Sequence, residues 1–211
     1  MIPEIISAVK KGKTIVEGAE KVKEVFLEMK GEDEEMKKAK LLWVDLEMTG
    51  LEPEKDRILE VAAIVTGWNL EPMGEYQGIV KVDEELIRER MVGEFWEKNK
   101  ESRDGLINQN REGKPVEEIE KEILEFLDGF KFEEKVLLAG NSIHQDRKFI
   151  DRELPRLSER LNYRMLDVSA WKVYFEGALR KKFVKPEAHR ALSDIKGSIE
   201  ELKFYLGFLR K

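Results

Sequence analysis

Two carboxylates set one residue apart, Asp45 and Glu47, are the first feature of this chain that could do chemistry. They lie in the run LLWVDLEM, which reads as a strand. In a strand, positions i and i+2 face one side, so the two acids project together while Leu42, Val44, Leu46 and Met48 cover the other face. Paired carboxylates beside a core repel each other and lose hydration. A hard divalent cation relieves both effects, because Mg²⁺ takes oxygen ligands and keeps some of its waters. Taken alone, an exposed strand end with two solvated acids explains such a pair equally well.

A second acid, Asp146, sits in NSIHQDRKFID directly after the short apolar run VLLAG. That puts it near the first turn of a helix at the carboxyl end of a strand, where α/β proteins build their sites. A lone aspartate there also serves simply to favour the helix dipole. The third signal is HRALSDI, where His189 precedes a helix and Asp194 lies inside it, with Ala191, Leu192 and Ile195 able to pack inward. The plainer reading is a helix-start histidine and a solvated aspartate. The chemical reading makes Asp194 a metal ligand and His189 a general base, since an imidazole with a pKa near ~6.5 accepts a proton from water around neutrality. With only two histidines in the chain there are few rival bases.

These residues must be positioned by the elements around them. RILEVAAIVT (57–66) reads as a second strand, and a turn around Gly67 and Asn69 leads to a third near EYQGIVKV (75–82). The short connections imply antiparallel pairing. Residues from Asp83 to about Gly113 look helical with breaks. Pro115 suits the first position of a helix running to Asp128, with Val116, Ile119, Ile123, Phe126 and Leu127 on one face. VLLAG (136–140) is a buried strand, 145–160 helix, MLDV (165–168) a short strand, 169–180 helix, and the last helix runs from about Arg190 to Arg210. Three strands, then helices, then alternating strand and helix predict an α/β fold with a mixed sheet and helices on its faces.

Residues 1–30 read as an amphipathic helix, with Ile5, Val9, Ala19, Val22, Phe26 and Met29 at helical spacing, weakened by Gly12 and Gly18. The charged stretch GEDEEMKKAK (31–40) reads as helix end and linker. The expected division is a helical extension over 1–40 and one catalytic domain over 41–211.

Composition narrows the chemistry. No cysteine is present, which excludes disulfides, thiolate-bound zinc and a thiol nucleophile. Any metal site must use carboxylates, histidine or backbone oxygens. The 38 Lys and Arg against 44 Asp and Glu leave a net charge of -6. Gripping long nucleic acid draws on a basic surface, so this chain either does not bind nucleic acid or binds little of it at once. MIPEIISAVKKGK has no secretory character and no run is long enough to span a membrane, so a cytoplasmic location is expected.

Four acids and a histidine in the order DxE, D, H-x4-D resemble the DEDDh family of 3′→5′ exonucleases, whose fold is ribonuclease H-like. The runs VDLEMTGLEPEKDRILEVA (44–62), LAGNSIHQDRKFIDRELP (138–155), NYRMLDVS (162–169) and AHRALSDI (188–195) are similar to the oligoribonuclease branch, which degrades RNA only a few nucleotides long. The resemblance covers roughly residues 41 to 210.

The resemblance implies a five-stranded mixed sheet, three antiparallel strands followed by parallel ones. It also implies two divalent ions, Mg²⁺ or Mn²⁺, beside the scissile phosphate. Such ions stand roughly 3.5–4 Å apart and stabilise both the attacking and the leaving oxygen. On that basis Asp45 bridges the ions, Glu47 and Asp194 hold the one that binds the attacking water, Asp146 holds the second directly or through water, and His189 deprotonates the water. Leu51 matches a leucine that wedges against bases, and Trp96 an aromatic on which the terminal base stacks, worth about 1–3 kcal/mol; the plainer reading of each is ordinary core packing. Ser142, Tyr163, Arg164 and Ser169 match residues that hold sugar and phosphates, with Tyr163 and Arg164 reaching in from the partner of a homodimer. The segment WKVYFEGALRKKFVKPEA (171–188) departs from the family pattern yet keeps the basic residues Arg180, Lys181, Lys182 and Lys185.

Two alternatives share these features. A DEDDh 3′→5′ DNA exonuclease of proofreading or repair type has the same acids. A nucleic-acid-binding module on an inactive exonuclease fold is a different class, marked by loss of catalytic acids, and none is missing here.

Overall fold

The computed structural model describes Gly31, residues 33–184 and residues 190–209. The helix expected over 1–30 and the candidate base His189 lie outside the described residues. The chain separates into two units, one ending at Lys38 and one beginning at Ala39. Of the first, residues 33–36 are helical. The second carries the fold described below.

Among the described residues the strands form one five-stranded sheet: β1 (Leu41–Met48), β2 (Ile58–Thr66), β3 (Pro72–Ile79), β4 (Val136–Gly140) and β5 (Leu161–Asp167), in the order β3-β2-β1-β4-β5. The first three pair antiparallel with one another, β1 with β2 and β2 with β3; β4 lies parallel to β1, and β5 parallel to β4. This is the mixed sheet expected. Every residue of β2 is buried, as a central strand rich in Val, Ile and Ala must be when both faces are covered.

The period-two alternation sorts each strand between two layers. Leu42, Val44, Leu46, Val61, Ala63 and Val65 join one core. Its other wall comes from α4 (Val116–Asp128), through Ile119, Ile123 and Leu127, and from α5 (His144–Glu153), through Phe149 and Ile150. Leu41, Trp43, Ala62 and Ile64 face the opposite layer. There they meet Val168 and Phe175 of α7 (Val168–Leu179), and Ala191, Ile195, Ile199, Leu202 and Tyr205 of α8 (Ala191–Gly207). Burying one such aliphatic side chain is worth about 1.5–3 kcal/mol, so the two layers fix α5 and α8 on opposite faces of β1. The connection between β3 and α4 carries α1 (Glu84–Arg90), α2 (Glu94–Lys98) and α3 (Lys100–Gln109).

Several boundaries differ from the sequence reading for physical reasons. The helix expected over 145–160 is two helices, α5 and α6 (Pro155–Arg160), because Pro155 disfavours helical backbone at Leu154, which sits at φ -128, ψ 59. Pro115 precedes α4 as its N-cap rather than opening it. The strand expected at 165–168 runs instead from Leu161 to Asp167: it is the sheet edge, and its outward positions Tyr163 and Arg164 are polar and exposed, which hides the alternation. No helix among the described residues is long and apolar enough to cross a membrane.

Candidate active site

Asp45 and Glu47 continue the face of β1 that begins with Leu41 and Trp43, the face packed by α8. The apolar side of α8 therefore delivers its first turn, and Asp194 with it, over the two acids. Oxygen atoms of Asp45, Glu47 and Asp194 all lie within 4.8 Å of one another, and the three residues are half-buried. Asp194 is held there by the start of its own helix. Its carboxylate accepts the N–H of the N-cap residue Arg190 at 3.1 Å, while the Asp194 N–H donates to the Arg190 carbonyl at 3.0 Å, a reciprocal cap.

Asp146 arrives from the other layer and is only 6% exposed. Its place follows from where the sheet splits. The β1–β4 ladder ends at the pair Trp43–Ala139. Gly140 then passes so close to β1 that a Cβ there would lie 2.9 Å from the Val44 carbonyl. The chain turns through Ser142 in left-handed backbone, φ 49, and enters α5. Asp146, in the first turn of α5, comes back to accept the Leu46 N–H at 3.0 Å. It occupies the edge that β4 has vacated, on the peptide between the two paired acids.

Electrostatics mark the cluster. Burial pushes the Glu47 carboxyl up to about 7, and the charges of Glu60, Asp194 and Asp146 add to the shift while Arg190 opposes it. Burial also pushes Asp146 up to about 7, against the N–H groups that hydrogen-bond its charged form. Acids this compact, hard in donor type and reluctant to ionise together fit divalent cations, which supply the charge the cluster lacks.

Of the remaining residues singled out in the sequence, Ser142 and Ser169 meet. The Ser142 N–H donates to Ser169 Oγ at 2.9 Å, and the two hydroxyl oxygens are 3.2 Å apart. Asp167, the N-cap of α7, fixes both by accepting the N–H groups of Ser142 (3.0 Å) and Ser169 (2.9 Å). Leu51 stands 69% exposed on the loop after β1. Tyr163 is 74% exposed on the edge strand, with the Arg164 guanidinium 4.4 Å from its ring centre. Trp96 is only 8% exposed and packs into the core, leaving little ring for a base; its neighbour Phe95 is exposed and meets it edge-on at 5.0 Å.

Sequence reasoning missed Glu60. This fully buried carboxylate stands opposite Glu47 in the β1–β2 register. It accepts from the side-chain amides of Gln77 and Gln109, both at 2.7 Å, and Gln109 in turn accepts from Arg190 at 3.2 Å. The signal was a single acid inside the otherwise apolar run ILEVAAIVT.

Most of the chain is similar to known proteins. Residues 42–202 match the RNase_T family, described as exonuclease. An oligoribonuclease of Chromobacterium violaceum is 40% identical over 169 residues, covering 78% of this chain and 92% of that protein. One from Ralstonia nicotianae is 40% identical over 169 residues, covering 78% and 76%. Among solved structures, an exonuclease I from Methylocaldum szegediense superposes with a TM-score of 0.55 at 17% identity, covering 81% of this chain and 40% of that one. This chain spans about two-fifths of the length of that enzyme, and the likeness concerns the fold alone. The chain belongs to the RNase_T exonuclease family, on its oligoribonuclease branch, and is a 3′→5′ exoribonuclease.

Proposed function

We propose that the enzyme removes nucleotides one at a time from the 3′ end of RNA a few nucleotides long, down to dinucleotides, with two divalent ions held by Asp45, Glu47, Asp146 and Asp194. The observation that carries this reading is the convergence of three carboxylates within 4.8 Å at the end of β1, with Asp146 fixed on the intervening Leu46 amide. Bound there, Mg²⁺ or Mn²⁺ would neutralise the phosphodiester and lower the pKa of water.

The chain's own groups do the rest. Asp45 would be the ligand that the two ions share, Glu47 and Asp194 would hold one ion, and Asp146 would hold the other, directly or through water. His189 takes the proton of the attacking water; it adjoins Arg190, which is tied to Gln109 and to the Asp194 carboxylate. Water adds to phosphorus, the bond to the 3′ oxygen of the preceding nucleotide breaks, and that oxygen leaves with a proton. The products are a nucleoside 5′-monophosphate and a strand shorter by one.

Leu51 wedges against the bases. The hydroxyls of Ser142 and Ser169 hold sugar and phosphate. Trp96 is the family's stacking position, and its burial leaves little of the ring for a base. The net charge of -6 suits a substrate with few phosphates, since a broad basic groove is then unnecessary.

The working form is a homodimer in which Tyr163 and Arg164 complete the partner's site. Support comes from the exposed edge strand β5 and from α7, which leaves Val173, Tyr174 and Leu179 exposed beside an apolar cleft of about 430 Å³. Apolar patches of this kind mark protein interfaces. A setting in the cytoplasm suits a chain without cysteine.

The test is cleavage of 5′-labelled RNAs from two to about ten nucleotides long with Mg²⁺ or Mn²⁺, beside an Asp45→Ala control. Rapid metal-dependent loss of the shortest species, absent in the control, is the expected result. Equal or faster cleavage of long RNA or of DNA would move the substrate assignment to a general or DNA exonuclease. No cleavage by the intact chain would favour the binding module.

A further inference from the structure

The loop that presents Leu51 is built around a buried charge. Its neck is closed where the Thr49 N–H donates to the Arg57 carbonyl at 3.0 Å and the Arg57 N–H donates to Thr49 Oγ1 at 3.1 Å. Inside it, the carboxylate of Asp56 has no solvent exposure. It accepts from Thr49 Oγ1 at 3.0 Å, from the Glu52 N–H at 2.8 Å, and from Arg90 through Nε at 2.8 Å and Nη2 at 3.1 Å. Arg90 ends α1 and reaches Glu52 Oε1 as well, at 3.1 Å. The carboxylate lies so close under Gly50 that a Cβ there would stand 2.6 Å from Asp56 Oδ2. On the far side, Gln145 donates to the Leu51 carbonyl at 2.7 Å, one residue before Asp146.

A buried carboxylate is tolerated only when its oxygens are fully engaged. Here the engagement goes to the residues on either side of Leu51. The backbone at 49–52 is fixed from beneath by Asp56 and Arg90, and from the flank by Gln145, while the apolar side chain of Leu51 stays open to solvent. Fixing a contact group before binding removes the entropy cost of ordering it when the ligand arrives. We propose that Asp56 and Arg90 are positioning residues that hold Leu51 ready for the terminal bases of short single-stranded RNA. This rests on the reading of Leu51 as a substrate contact.

The test is a kinetic double-mutant cycle on a labelled RNA dinucleotide with Mn²⁺, using Leu51→Ala, Arg90→Gln, the double variant and Arg90→Lys, with kcat, KM and Tm measured for each. Leu51→Ala and Arg90→Gln should each raise KM by about tenfold and leave kcat within about threefold, and the double variant should match Leu51→Ala alone. Arg90→Lys, which keeps the charge without the planar fork, should recover part of the KM and provides a folded variant if Arg90→Gln is unstable. A double variant whose KM defect is the product of the two single defects would overturn the positioning role while leaving Leu51 a contact. A lower Tm with unchanged KM in both Arg90 variants would overturn it in favour of a purely structural pair. An unchanged KM for Leu51→Ala would remove the substrate-contact reading, and the positioning role with it.

Discussion

Glu60 faces Glu47 directly across the β1–β2 ladder, so a fully buried carboxylate backs one of the candidate metal ligands. Its oxygens are taken by Gln77 and Gln109, and Arg190 lies 3.8 Å away. After burial, Glu60 is the largest contributor to the Glu47 shift, which reaches about 7. Protons therefore compete with cations for Glu47 in the neutral range. Mn²⁺ affinity, measured by calorimetry at pH 6, 7 and 8, should rise with pH in the native protein. Glu60→Gln should move that rise to lower pH by withdrawing the neighbouring charge. The substituted amide can accept from only one of its two glutamine neighbours, so Gln77 or Gln109 must turn over, and where Gln109 does, its tie to Arg190 should loosen. An identical pH dependence in the variant would remove Glu60 from the electrostatics of the site.

The same shifts fix the sign of a stability profile. Glu47 and Asp146 stand at about 7 in the fold, above ordinary values of 4.5 and 3.8. Between those limits the folded protein holds more protons than the unfolded chain, so unfolding free energy falls as pH rises. The contribution is complete below the unfolded values and lost as pH passes about 7. Without metal, the melting temperature should fall between pH 5 and pH 8, and Mn²⁺ should restore much of it at pH 8. Glu153, raised to about 7 by its own burial, adds to the slope and stands outside the cluster that would hold a cation, so the recovery should be incomplete. A metal-free melting temperature that climbs over this range would contradict the assignment.

Asp146 separates fold from chemistry. Its carboxylate accepts the Leu46 N–H, and an asparagine oxygen can accept the same bond. Asp146→Asn should keep the split between β1 and β4 and hold its melting temperature within a few degrees of the native value. The loss of charge should lower kcat by roughly 10²–10³-fold, as removal of a group that stabilises the reacting centre does. Parallel thermal melts and single-turnover cleavage would check both halves; a variant that keeps full activity would take Asp146 out of the site.

What could be read from the sequence was whatever one element fixes alone. The two-residue period placed Asp45 and Glu47 on one side of β1, and the inward Ala191 and Ile195 placed Asp194 toward the sheet. Relationships set by two elements at once were hidden. That Asp146 lands on the Leu46 amide depends on where β4 parts from β1, which no local pattern records. The tie from Glu60 through Gln109 to Arg190 joins β2, α3 and the start of α8, residues far apart in the chain. Trp96 shows the opposite difficulty: its position was matched by resemblance, but its burial depends on how α2 packs.

Gly140 is where that parting can be tested. A methyl group there would sit 2.9 Å from the Val44 carbonyl and 2.9 Å from Ile143 Cδ1, closer than either neighbour allows without moving. Gly140→Ala should destabilise the fold by about 1–3 kcal/mol, the usual scale for overpacking. Because the displaced strand leads through Ser142 into Asp146, activity should fall further than the population of folded protein explains. Urea unfolding and activity at a temperature where the variant is fully folded would separate the two effects. A variant of native stability would show that the backbones can move apart at no cost.

The proposed dimer makes a prediction that no single variant can test. If Tyr163 completes the partner's site, Tyr163→Ala damages a site built on the other chain, whereas Asp45→Asn damages a site on its own chain. Each variant alone should be slow. In a mixed dimer, the chain bearing Asp45→Asn has a dead metal site but supplies a native Tyr163 to its partner, whose acids are intact. One of the two sites is then complete. Co-unfolding and refolding equal amounts should give half of the molecules as mixed dimers, so activity per chain should recover to about one quarter of native. Recovery should vanish when Val173→Asp is added to both chains, because a charge on the exposed apolar face of α7 opposes pairing. If Tyr163 serves the site on its own chain, no mixture regains activity, since every native Tyr163 then belongs to a chain that lacks Asp45. Light scattering on the same mixtures would show whether dimers had formed, so that a failure to recover reports on Tyr163 and not on assembly.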